Sequence, residues 1–153
     1  MGEQAKYWET YEEVAAYLLD QISSEFGLAR FEGKQDLIGK RSGTSYEIDA
    51  KGISSNNETL FIVECRRYTT SRQNQEKLGA LAYRIIDTGA KGGIMVSPLG
   101  LQEGANKIAA AENIHSVILD ANSTRSDHIL KFLNQAQISF SAAVSFYKPD
   151  EAD

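Results

Sequence analysis

The chain has 153 residues, 42% of them apolar and 24% charged, which is the make-up of one ordinary globular domain able to bury a core. It holds no apolar run of about 18 residues that could span a membrane, its polar Met1–Glu9 start is not a secretory leader, and its lone Cys65 excludes an internal disulfide and suits a reducing cytoplasm. The net charge of −5 speaks weakly against nucleic acid, but ten lysines and arginines stand against seven acids between Arg30 and Arg84, a basic middle in an acidic frame. Such a middle can meet a phosphate backbone or be a solvated surface of mixed sign.

In chain order, Tyr11, Val14, Ala15, Leu18, Leu19 and Ile22 recur at helical spacing and predict a helix over about Glu9–Phe26, opened by a Thr10/Glu13 capping box and stopped by Gly27. Leu28–Ile38 alternates loosely and predicts a first strand, followed by the basic glycine loop Gly39-Lys40-Arg41-Ser42-Gly43. Ser45–Ile53 and Glu58–Arg66 are the strongest strands, and the Ser54-Ser55-Asn56-Asn57 cluster between them makes a hairpin. The second of these is apolar on both faces at Leu60–Val63, as a central strand is. A helix over about Arg72–Asp87 has Leu78, Leu81, Ala82, Ile85 and Ile86 inward and Gly89 as its stop. Then come a strand at Gly93–Val96, a helix at Leu101–Glu112 and a strand at Val117–Leu119. A second capping box, Thr124/Asp127, opens a helix running through Asn134, and the alternating Ile138–Tyr147 predicts a last strand. The sequence has no repeats or linkers, so residues 1–153 read as one domain, with a core over about 9–135 and a polar tail at 148–153. The expected fold is α/β, a mixed sheet with helices on both faces in the order α-β-β-β-α-β-α-β.

If Asn56 and Asn57 form a two-residue turn, Asp49 falls directly opposite Glu64 and Glu47 opposite Arg66. Directly opposed residues share a face at about 4.5–5.5 Å between Cβ atoms, and two carboxylates there repel each other unless a cation or proton sits between them. Mg2+ is commonly held by one or two carboxylates with water and substrate phosphate. The plainer reading is a solvated strip of charge, but Glu64 closes an apolar run, where an unpaired charge is costly.

At Tyr46-Glu47-Ile48-Asp49 and Val63-Glu64-Cys65-Arg66-Arg67-Tyr68 the sequence resembles the Mrr-like branch of the PD-(D/E)xK, or restriction-endonuclease-like, nucleases. The likeness runs from Tyr11-Glu12 to about Leu119 and takes in the Gly92–Ser97 strand and the helix around Ala105. It implies that Asp49 and Glu64 are the metal ligands, assisted by Glu12, with Arg66 in the place of the catalytic lysine. Ile48 stands where many relatives have proline, and Glu64 where many Mrr-like members have glutamine. Arg66 is the larger departure, because an arginine stays protonated and offers charge but no base. Lys51, two residues from Asp49 and on its face, is the other candidate for that amine, about 7 Å away by strand rise.

The implied activity is metal-dependent DNA endonuclease chemistry of the restriction or repair type, with Mg2+ or Mn2+ as cofactor. Arg67, Tyr68 and Arg72, together with Lys40 and Arg41, are candidate nucleic-acid contacts. Cutting both strands of a duplex implies a homodimer or higher homo-oligomer. The alternative is a nuclease-fold module that binds nucleic acid or a partner without cutting. Elsewhere, Cys65 reads as a core residue, His115 and His128 lack a second ligand at zinc spacing, Tyr7, Trp8 and Tyr11 cover the core, and Gly89–Gly93 precedes a strand rather than opening a helix, unlike a phosphate loop.

Overall fold

The computed structural model describes residues 10–67, 70–119, 128–132 and 143–146. Helix α1 spans Tyr11–Gln21; the Thr10 hydroxyl accepts the Glu13 N–H at 3.1 Å. A 3-10 turn, Ser23–Phe26, extends it to Gly27, whose φ of 72° ends the run in the left-handed region that glycine tolerates. The strands β1 (Arg30–Glu32), β2 (Gln35–Ile38), β3 (Ser45–Ile48), β4 (Ala50–Ile53) and β5 (Thr59–Cys65) precede helix α2 (Gln75–Thr88). Strand β6 (Gly92–Ser97), helix α3 (Glu103–Ala111) and strands β7 (Ile114–Ile118), β8 (His128–Phe132) and β9 (Ala143–Phe146) follow.

Seven strands form the main sheet in the order β1-β4-β5-β6-β7-β8-β9, and β2 and β3 form a separate antiparallel pair. The β5-β6-β7 centre is parallel, as its helical crossovers require, and the flanking pairs are antiparallel. Helix α1 covers one face, where Tyr11, Val14, Leu18 and Leu19 meet Val63, Cys65, Ile94, Val96 and Val117. Helices α2 and α3 cover the other, where Leu78, Leu81, Ala105 and Ala109 meet Ile62, Met95 and Ile114. The expected mixed sheet with helices on both faces is therefore present. Tyr11 is buried as expected and donates its hydroxyl to the Leu119 carbonyl at 2.7 Å, while Tyr7 and Trp8 lie outside the described residues. Gly93 fits beneath α2 because a Cβ there would come 2.8 Å from Ile85.

Several expectations are corrected. Leu28–Ile38 is two strands in two sheets, and Ser45–Ile53 divides at Asp49 into β3 and β4. Strict alternation fails at that bend: Ile48 packs on the α2 side and Ala50 on the α1 side, although residues two apart in one strand share a face. Glu47 consequently lies across from Asp36 in the β2–β3 pair and not from Arg66. The hairpin tip is longer than two residues: Asn57 N–H donates to the Ser54 carbonyl and Ser54 N–H to the Glu58 carbonyl, both at 2.9 Å. A bulge between Gly52 and Ile53 absorbs the difference, so Ala50 still pairs with Val63, Lys51 with Ile62 and Gly52 with Phe61, the predicted register. Ile86 is 49% exposed and not inward. The helix expected through Asn134 is replaced by β8, whose ladder to β7 and β9 outweighs a local capping signal. The box residues Thr124 and Asp127, and the tail from 147 onward, lie outside the described residues, and the last predicted strand is present as Ala143–Phe146. Against the expected α-β-β-β-α-β-α-β, the order thus gains two strands before α2 and two, β8 and β9, at the end.

Candidate active site at the end of strand β5

Asp49 occupies the bend between β3 and β4, beside the C-terminal end of β5. Its N–H donates to the Val63 carbonyl at 3.1 Å, and its carboxylate Oδ2 accepts the Cys65 N–H at 2.8 Å. The departing strand takes with it the carbonyl that would have met Cys65, and the Asp49 side chain supplies the acceptor instead. Oδ1 has no partner among the described residues. Asp49 lines a cleft of about 410 Å3 with Thr10, Glu12, Glu13 and Ala16 of the α1 end and Gly33 and Lys34 of the β1–β2 turn. Burial pushes its carboxyl pKa up; the Cys65 N–H opposes that, and the neighbouring Glu12 charge adds to it.

Glu64 is turned the other way. It is 3% exposed and on the α2 face, and its carboxylate is held by two guanidinium groups. Arg66 Nη2 lies 3.3 Å from Oε1, and Arg84 Nη1 of α2 contacts Oε2. The two acids stand at the predicted register but do not face each other: Asp49 opens toward α1 and Glu64 toward α2. Arg66 is the charge they share, since it pairs with Glu64 and also draws the Asp49 pKa down. Its Nε is a buried donor with no acceptor among the described residues.

Cys65 points to the α1 face and is 6% exposed; burial first, then the charges of Asp49, Glu12 and Glu64, raise its pKa well above the usual thiol value. It stays a protonated core thiol. Those three acids therefore surround one residue, yet among the described residues no three His, Cys, Asp or Glu side chains converge closely enough to cage a metal. Asp49 and Glu12 fit a hard cation held by one or two carboxylates and water. Glu64 fits only if a guanidinium gives way.

The remaining candidates are placed apart. Lys51 sits across from Glu32 of the edge strand β1 and makes no hydrogen bond or ion pair with Asp49 or Glu64. Arg67 is half-buried and Arg72 exposed on the segment between β5 and α2; Tyr68 lies outside the described residues. Lys40 and Arg41 belong to the β2–β3 loop, separated from Asp49 by the length of β3, roughly 13 Å by strand rise. That loop is wrapped around Asp87, which is 0% exposed. The Asp87 carboxylate accepts from Arg41 N–H (2.8 Å), Ser42 N–H (2.9 Å), the Ser42 hydroxyl (2.5 Å) and the Tyr46 hydroxyl (2.6 Å). These bonds, the Ser42 hydroxyl foremost, hold its pKa well below the usual carboxylate range, and the Tyr46 phenol is pushed up by the same contact. Lys40 Nζ lies over Gly89 at the C-terminal end of α2, where a cation meets the helix dipole favourably. Arg84 was not among the sequence candidates. A buried Glu64 facing α2 demands a cation from that helix, and Arg84 is the basic residue flanked by Leu81 and Ile85, so the signal was there.

No known family model matches the chain, and no curated protein does. Among solved structures it is similar to a protein of unknown function, AF1548, at 16% identity and a TM-score of 0.54 over 69% of this chain and 56% of that one. It is also similar, at TM-scores of 0.42, to a repair endonuclease from Pyrococcus abyssi (19% identity, 76% of this chain, 50% of that one) and to EndoMS in an EndoMS–dsDNA2 complex (16%, 80% and 50%). The chain spans about half the length of these solved chains. At its level of identity, the AF1548 likeness shows a shared fold.

Proposed function

We infer that the chain is a nuclease-type domain of the PD-(D/E)xK, Mrr-like kind that acts on DNA phosphodiesters with Mg2+ or Mn2+. The observation that carries this reading is Asp49: a desolvated carboxylate with one oxygen unpartnered among the described residues, opening with Glu12 onto a cleft beside the end of β5. Asp49 and Glu12 would hold the cation, joined by Glu64 when it leaves an arginine. A bound Mg2+ supplies Lewis-acid stabilisation and an activated water. Arg66, whose side chain is 41% exposed, would donate to a phosphate oxygen from its exposed part, and its fixed charge replaces the stabilisation that a lysine gives. Arg67 and Arg72 grip neighbouring phosphates. Cleavage of both strands would bring two copies together.

The test is plasmid nicking by the full chain with Mg2+ or Mn2+, beside Asp49→Asn. Nicking that the substitution abolishes supports the reading; an inert parent on duplex, single-stranded and branched DNA with either metal overturns it. The double arginine pairing of Glu64 favours a second reading, a nuclease fold that binds nucleic acid without cutting. Salt-dependent DNA binding with no nicking would establish it.

A further inference from the structure

The β1–β4 and β2–β3 ladders share a single register: Glu32 lies across from Lys51, and Gln35 across from Ile48. Carried through the gap between the two ladders, that register sets Gly33 across from Ala50 and Lys34 across from Asp49. Neither ladder reaches this position, because β3 bends away from β4 at Asp49 while the opposing chain turns at Gly33 and Lys34. Asp49 therefore has β5 on one side, where the Cys65 N–H donates to it, and the Lys34 turn on the other. The turn is held at both ends. Phe31 N–H donates to Asp20 Oδ1 of α1 at 2.9 Å, and Gln35 Nε2 donates to the Gly33 carbonyl at 3.1 Å.

Lys34 lines the Asp49 cleft with Glu12 and Glu13, and it is the one cation that does so among the described residues. Its ammonium makes no hydrogen bond or ion pair among the described residues. Burial raises the Asp49 pKa, and the Lys34 charge opposes that rise more strongly than the Arg66 charge does. The other basic candidates are engaged elsewhere: Arg66 pairs with Glu64 on the α2 side, and Lys51 lies across from Glu32. A phosphodiester entering this cleft is repelled by three carboxylates, and Lys34 is the cleft-lining charge that offsets them.

We propose that Lys34 contacts the substrate, its ammonium donating to a non-bridging oxygen of the phosphodiester seated at Asp49. The inference deepens the nuclease reading above and rests on it. A lysine suits the task, since its flexible stem carries a compact charge with three donors that can follow a phosphate into place. The site then has a cation on each side, Arg66 beside Glu64 and Lys34 on the α1 side.

The experiment is single-turnover plasmid nicking by the full chain with Mn2+ from pH 6 to pH 9, for the parent, Lys34→Gln, Lys34→Arg and Lys51→Gln, each with a thermal melt. Binding of a short labelled duplex in EDTA at several salt concentrations, read by fluorescence anisotropy, accompanies it. Lys34→Gln should lose about a hundredfold in rate at every pH, and Lys34→Arg, which keeps the charge, should recover most of it. Lys51→Gln makes the same change of charge on a neighbouring strand and should stay within a few-fold of the parent. Lys34→Gln should also lower the salt slope of duplex binding by about one, Lys51→Gln should not, and all variants should melt with the parent. A loss in Lys34→Gln that high pH restores shows that Lys34 acts only by tuning Asp49, and overturns the contact. Parental rate and slope in Lys34→Gln overturn it too, and either result leaves the nuclease reading standing. An inert parent overturns the nuclease reading, and the anisotropy then decides the contact: a slope lowered in Lys34→Gln alone supports it, and an unchanged slope overturns it.

Discussion

The Asp49 carboxylate accepts the backbone N–H of Cys65 at 2.8 Å, standing in for the carbonyl of a strand that turns away. One side chain thus ends the β4 ladder, lets β3 leave for the second sheet and presents its other oxygen to the α1 cleft. The two roles can be separated. Asp49→Asn keeps an acceptor for Cys65 and removes the charge; it should abolish cation binding and leave the fold as stable or more so. Asp49→Ala removes the acceptor as well and should cost about 1–3 kcal/mol, the penalty of a buried unsatisfied donor. Urea melts and Mn2+ calorimetry on both variants check this; equal stability of the two would show that the Cys65 bond is immaterial.

The pH dependence of stability has two opposed contributions in the acid range. Asp49 has a raised folded pKa, so its ionisation is penalised: the penalty is absent below the ordinary aspartate value, about 3.9, and grows as pH rises toward the folded value. Asp87 has a lowered folded pKa, so its contribution is present above that ordinary value and is lost as pH falls toward the folded one. Asp49→Asn should therefore gain stability over the parent at neutral pH and lose that gain in acid. Asp87→Asn should destabilise at neutral pH and flatten the acid loss. Melts between pH 2 and pH 7 decide it; a pH-independent difference for Asp49→Asn would show that its carboxyl is not perturbed.

Gly39 has no room for a side chain, because a Cβ would lie 2.0 Å from Asp87 Oδ2. Gly39→Ala should cost about 1–3 kcal/mol by overpacking, and much less in an Asp87→Ala background, where the obstructing carboxylate is gone. A double-mutant cycle in urea measures the coupling; additive effects would mean that the loop is not seated on Asp87.

At the position where the nucleases that the sequence resembles carry lysine, Arg66→Lys should keep or raise nicking and Arg66→Ala should lose it by about 10²–10³, as loss of one electrostatic stabiliser does. Lys51 faces Glu32 rather than the site, so Lys51→Ala should leave the rate within a few-fold of the parent. Single-turnover nicking ranks the three, and a Lys51→Ala loss equal to that of Arg66→Ala would move the amine's role to β4.

Arg67→Ala and Arg72→Ala should weaken DNA binding about equally across sequences and lower the salt slope by roughly one each, as phosphate contacts do. Binding isotherms at several salt concentrations are the check, and a variant with the parent's slope removes that arginine from the interface.

The residues that could be read in advance were those whose environment follows from periodicity. The α1 face, the α2 face apart from Ile86, the central β5 and β6 and the pairing of Ala50 with Val63 follow from apolar spacing and a turn cluster. The departure at Asp49 could not, because Ser45–Ile53 alternates without interruption and the break is one hydrogen bond to a strand sixteen residues away. Arg84 is a similar case: it is twenty residues from Glu64, and only the need to neutralise a buried acid links the two. The Thr124/Asp127 signal misled for the opposite reason, since a local cap competes poorly with ladders to two neighbouring strands.

The bulge between Gly52 and Ile53 gives the β4–β5 hairpin a fixed end and a free end. Toward Asp49 and Glu64 the ladder is locked by Ala50, Lys51 and Gly52, while the Ser54–Glu58 tip lies beyond the irregularity and borders the cleft formed with Lys40 and Lys91. Residues added to or removed from the tip can be taken up at the bulge without sliding one acid past the other. The hairpin is in this sense a mount for interchangeable tips, in which the surface at one end can be lengthened or rewritten while the alignment of the chemistry at the other is preserved.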